Sequence, residues 1–206
     1  MIEEKIPNAP ATTTSFQLNA KTFRSADAFH PPRMTTTPYF LDEPRTKPLR
    51  VNAQDITSNV IADCIVEFCL EHGDLISNLK LQKLLYYSQA WYLAINIKPL
   101  FKDKIQAWVN GPVQPDVLAR YSPCKHGPIA EAKETWIVSK KIHDHIADVM
   151  IAYGKLSAYD LERLSCEETP WLNARKLNNL SGHLGPEISQ KSMREFYKAR
   201  LNEQKA

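Results

Sequence analysis

The side chains of this chain that could do chemistry are scattered rather than clustered. Four cysteines stand at 64, 69, 124 and 166, spacings that match neither a zinc pattern nor a CxxC redox pair. Cys64 and Cys69 fall inside one apolar helical pattern and read as small buried hydrophobes, and reduced thiols are the default for all four. His143 and His145 are two residues apart, so on a helix they point to different faces and make poor joint metal ligands. Cys124-Lys125-His126 puts a thiol and an imidazole in one loop, without the third group that would orient a nucleophile pair. No Gly-rich phosphate loop, HExxH or GxSxG occurs. These residues argue against an enzyme and imply neither a metal nor a cofactor.

A second set is polar but sits among apolar neighbours. Lys80, Gln82 and Lys83 interrupt Leu79–Tyr92, the most apolar and aromatic stretch of the chain. On one reading they form a solvated edge, with Gln82 satisfied by backbone. On the other, one of them is half-buried and meets a carboxylate such as Glu168 or Asp116, since buried charge is tolerated only when paired. Trp108, Gly111, Pro112 and Pro115 suit a rigid turn over the core, or a partner groove. Trp171, after Pro170, reads as a core anchor. Arg175, one turn on, is placed to bind Glu167 or Glu168, or a partner's carboxylate.

These side chains need elements to hold them. Leu81, Leu84, Leu85 and Trp91 recur at helical spacing, and with Tyr86, Tyr87 and Tyr92 they give a central helix that starts after Ser77 and ends near Asn96. Ahead of it, Ile56, Val60, Ile61, Cys64, Ile65, Phe68 and Cys69 form one helical face, stopped at His72-Gly73. Ile105–Val109 reads as a short strand, which Trp136-Ile137-Val138 could join as a hairpin. Lys140–Tyr153 is helical and ends at Gly154. Ser157-Ala158-Tyr159-Asp160 resembles a capping box, Thr169-Pro170 opens another helix, and Ser189 starts the last. The expected fold is mainly α: an irregular compact bundle of six to seven helices with at most one small β-hairpin, plus an extended N-terminal tail.

That tail, residues 1–50, is one expected unit, and residues 51–206 are the other. Seven of the 14 prolines and two Thr triplets lie in the first 50 residues, which contain no glycine. Such a stretch does not readily bury a core. Yet Phe16, Leu18, Phe23, Phe29, Tyr39 and Phe40 punctuate it. It is either a tail that wraps its own domain or hangs free, or a segment whose aromatics (Phe16, Phe23, Phe29, Tyr39 and Phe40) dock on a partner. A net charge of +3 is too weak to argue for nucleic acid. No run is long and apolar enough to span a bilayer, and the opening MIEEKIPNAP lacks the apolar region of a secretory signal. The expected location is the cytoplasm.

The motifs, taken in order, resemble a known family. They are Leu79–Tyr87 continuing to Gln89-Ala90-Trp91; Pro99-Leu100-Phe101; Ala107-Trp108; Gly111-Pro112-Val113 with Pro115; Tyr153-Gly154, Leu156-Ser157, Leu161 and Leu164; Glu168 with Pro170-Trp171 and Arg175; and Ile188-Ser189. This series is similar to the Panacea domain, also called SocA-like or GepA-like, of phage-associated proteins and of antitoxins in toxin–antitoxin systems. The similarity runs from about Asp55 to Arg200, and Cys166 stands where the family commonly has His. The resemblance implies an antitoxin that binds its cognate toxin directly or, in at least one type, an adaptor that delivers the toxin to a AAA+ protease. It makes Lys80, Gln82, Lys83, Tyr86, Trp91, Trp108, Gly111, Pro112, Val113, Pro115, Pro170, Trp171 and Arg175 the shared scaffold. The segment before residue 51 falls on the side of specificity.

Overall fold

Helix α2 (Asn78–Asn96) is the axis of the fold, and every residue from Leu81 to Ala94 on it is buried. A helix apolar around most of its circumference needs neighbours on all sides. In the computed structural model, which describes residues 47–176 and 185–203, α1 (Ser58–Glu71), α4 (Lys140–Tyr153), α5 (Ala158–Glu167) and α7 (Gln190–Glu203) all pack on it. The short helices α3 (Pro115–Arg120) and α6 (Thr169–Lys176) complete seven α-helices among the described residues. Tyr86, Tyr87 and Trp91 on α2 are buried against Tyr153 of α4 and Tyr197 of α7. Removing side chains of this size from water is worth about 1.5–3 kcal/mol each.

Local chemistry accounts for most helix ends. Ser77 Oγ accepts from the Lys80 amide at 3.3 Å and caps α2. Thr57 Oγ1 accepts from the Val60 amide at 3.4 Å, so α1 opens at Ser58, after a turn in which the Asp55 amide bonds to the Asn52 carbonyl. At its other end the Gly73 amide bonds to Leu70 and the Asp74 amide to Cys69, with Gly73 at φ +71°. That pair of bonds is the Schellman closure, and glycine adopts its left-handed residue without strain. Ser157 and Asp160 exchange the two bonds of a capping box at the start of α5.

The strands are short and pair differently from expectation. β2 (Gln106–Trp108) pairs antiparallel with β3 (Gly111–Val113), not with Trp136-Ile137-Val138. The reason is local: Gly111 has φ +93°, which lets the chain reverse immediately after Trp108. β4 (Trp136–Ile137) instead pairs in parallel with β1 (Leu49–Arg50). A further stretch lies against β2, with the Ala107 amide on Pro186 O and the Ile188 amide on Ile105 O, both at 2.8 Å. No described helix is long and apolar enough to cross a membrane.

Candidate partner-binding scaffold

Four polar residues of α2, Lys80, Gln82, Lys83 and Gln89, each hold down a different piece of chain. Lys83 is completely buried; its Nζ donates to the carbonyls of Asn110 and, at 3.1 Å, Pro112. Burial lowers its ammonium to about 8 against the opposing pull of Cys166 and Glu162. Among the described residues it forms no ion pair, so two carbonyl dipoles stand in for the carboxylate a buried cation usually requires. The β2–β3 turn is thereby gripped from beneath, and a Cβ on Gly111 would lie 2.8 Å from Lys83 Nζ.

Gln82 is buried beside it. Its Oε1 accepts from the Gln114 amide at 2.9 Å, and its Nε2 donates to Asn78 Oδ1 at 3.2 Å. Gln114 Oε1 in turn accepts from the Val117 amide at 2.7 Å and caps α3, which has Pro115 in its first turn. Asp116 is therefore reached from Gln82 only through Gln114, whose Nε2 donates to Asp116 Oδ2 at 3.2 Å. Lys80 is half-buried, donating to Gly154 O at 2.7 Å and lying 3.5 Å from Asp74 Oδ2. Two turns beyond Gln82, Gln89 Nε2 donates to Phe101 O and its Oε1 accepts from the Leu100 amide, both at 2.9 Å.

Glu168 meets none of the three polar residues singled out on α2. Its carboxylate accepts from Tyr86 Oη at 2.8 Å and from Tyr197 Oη at 2.7 Å, with Arg200 Nη1 at 3.5 Å. Burial pushes this carboxyl up to about 7, against the two hydroxyls and Arg200, which pull it down. Arg200, not Arg175, is thus its cationic neighbour, while Glu167 pairs with Arg163. Arg175 donates to Ala107 O at 3.2 Å and lies over the Trp171 ring. Trp171 Nε1 donates to Trp108 O at 3.1 Å, and Trp108 Nε1 to Gln106 Oε1 at 2.8 Å. Helix α6, with Pro170 buried in its first turn, so ties itself to β2. Trp91 Nε1 donates to Tyr153 Oη at 2.9 Å, and Tyr153 stacks on Tyr87 at 4.0 Å between ring centres. Val113 is buried in β3.

The remaining candidates separate. His143 is exposed, whereas His145 is buried, with Nε2 donating to Ser88 O at 2.8 Å. Cys64 and Cys69 are buried in α1, and burial pushes both thiols up to about 12. All four cysteines are free thiols. Phe16, Phe23, Phe29, Tyr39 and Phe40 lie outside the described residues.

Sequence reasoning missed the densest polar site. Asp63, fully buried in α1, accepts from Tyr121 Oη, from Arg120 Nη2 at 2.8 Å, from Trp136 Nε1 at 2.9 Å and from the Lys133 amide at 3.3 Å. The signal was a single carboxylate inside the run Val60-Ile61-Ala62-Asp63-Cys64-Ile65-Val66. A charge in such a run has to be bonded to be tolerated.

Two comparisons bear on what this scaffold is for. The family model described as antitoxin SocA-like, Panacea domain, matches residues 81–172, from the first buried turn of α2 into α6. Antitoxin SocA of Caulobacter vibrioides is 30% identical to the chain over 139 residues, 60% of this chain and 73% of the relative. No solved structure matches.

Proposed function

The chain belongs to the SocA-like Panacea antitoxin family, and we propose that it neutralises a cognate toxin by binding it directly, in the cytoplasm and without catalysing a reaction. In this reading residues 51–206 are the scaffold. Residues 1–50 supply contact through Phe16, Phe23, Phe29, Tyr39 and Phe40, aromatics being the usual anchors of protein interfaces. The observation that carries the reading is the inward direction of the motif residues. Lys83, Gln82, Tyr86 and Gln89 spend their hydrogen bonds on the protein's own chain. A motif used up in holding a fold together leaves recognition to the surface.

The test is co-expression with the product of the adjacent gene, followed by pull-down and growth rescue. A stable complex with rescue is expected, and removal of residues 1–46 should weaken both. Affinity and rescue that survive the truncation unchanged would remove the N-terminal contact from the reading. Rescue that disappears in a strain lacking a AAA+ protease, with no stable complex, would replace direct inhibition by an adaptor role.

A further inference from the structure

We infer that Trp136, held on Asp63, is a positioning residue: it fixes where and in which direction the N-terminal segment meets the domain, and so presents that segment to its partner. The inference rests on the reading of residues 1–50 as a contact. The structural basis is a two-residue parallel ladder with an unusually firm foundation. Leu49 N donates to Thr135 O at 2.9 Å and Val51 N to Ile137 O at 3.3 Å. Leu49 is 45% exposed, so β1 adds little to the core. A ladder this short is worth only about 0.5–1.5 kcal/mol for each bond, and nothing in the packing of α2 requires it.

β4, in contrast, is fixed from several sides. Trp136 Nε1 donates to Asp63 Oδ2 at 2.9 Å, and the Lys133 amide donates to Asp63 Oδ1 at 3.3 Å. Burial raises the Glu67 carboxyl, and the neighbouring Thr135 side chain and Trp136 backbone pull it back down. Asp63 is itself pinned by Arg120 and Tyr121 of the α3 region. The base of the N-terminal segment is therefore registered to the same buried carboxylate that joins α1 to α3. Parallel pairing sets its direction as well as its place.

The variant to make is Trp136→Phe in the full chain, which keeps an aromatic side chain, though a smaller one, and deletes the indole donor. Hydrogen exchange at the Leu49 and Val51 amides should quicken about tenfold or more, while the α2 amides keep their protection. Trypsin cleavage after Arg50 should rise in parallel. Affinity for the purified product of the adjacent gene should fall about tenfold in the full chain and stay unchanged when residues 1–46 are absent. Val51→Pro, which deletes one ladder amide without touching Asp63, should reproduce the affinity loss. Unaltered exchange at Leu49 and Val51 overturns the anchor. An equal affinity loss in full-length and truncated chains means damage to the domain and overturns positioning, as does full affinity in both full-length variants. If truncation of the parent chain leaves affinity unchanged, the contact reading fails instead, a result separable from the exchange data.

Discussion

Asp63 and Glu168 are both buried carboxylates that accept from tyrosine and lie beside an arginine, yet they are compensated differently. Asp63 has Arg120 at 2.8 Å, with Tyr121, the Trp136 indole and a backbone amide completing its shell. Glu168 has Arg200 only at 3.5 Å, with that side chain 42% exposed, and relies on the hydroxyls of Tyr86 and Tyr197. Hydroxyls stabilise a buried anion less than a close guanidinium does, and the Glu168 carboxyl is pushed up to about 7. Equal burial is thus met by donors of different kind and distance.

The comparison breaks most severely at Asp63. Asp63→Ala leaves Arg120 without its counter-charge and frees Tyr121 and Trp136, so it should cost about 3–5 kcal/mol, read from the midpoint of urea unfolding. The Glu168 counterpart should show as pH dependence. Its folded pKa lies above the unfolded value near 4.5, so its contribution is full below about pH 4.5 and is lost as pH rises through 7. Glu168→Gln should remove that slope, gaining on the parent chain by on the order of 3 kcal/mol between pH 4.5 and 8; parallel pH profiles for the two proteins would rule it out. The smallest effect belongs to the third buried charge, Lys83, which has carbonyls instead of a counter-ion. Gly111→Ala crowds its Nζ at 2.8 Å and strains a backbone at φ +93°. A loss of about 1–3 kcal/mol is expected, and a Tm equal to the parent's would show that the grip on the turn is slack.

How much of this was legible depended on range. The central helix with its Ser77 cap, the stop at Gly73, the capping box at Ser157 and the span of α4 follow from residues within one or two turns of each other, and the structure has them where the pattern put them. The strand partners did not follow. A strand two or three residues long carries no alternation by which to choose its mate, and the choice fell to Gly111 and to Trp136's bond with Asp63. The ion pairs failed for the same reason. Arg175 and Glu168 are seven residues apart, but Arg200 comes to Glu168 from another helix. Asp63 stood in plain view in an apolar run, and only its four donors, from residues 120 to 136, were out of reach.

The unbroken burial of α2 from Leu81 to Ala94 has a consequence for how the chain can diversify. A side chain with no solvent face cannot be touched by another protein while the fold is intact. The middle of the helix that makes this sequence recognisable is therefore out of reach from outside, and only its ends, at Leu79 and Ile95, are exposed. Whatever distinguishes one partner from another has to be written on other residues, which are free to be rewritten without disturbing it.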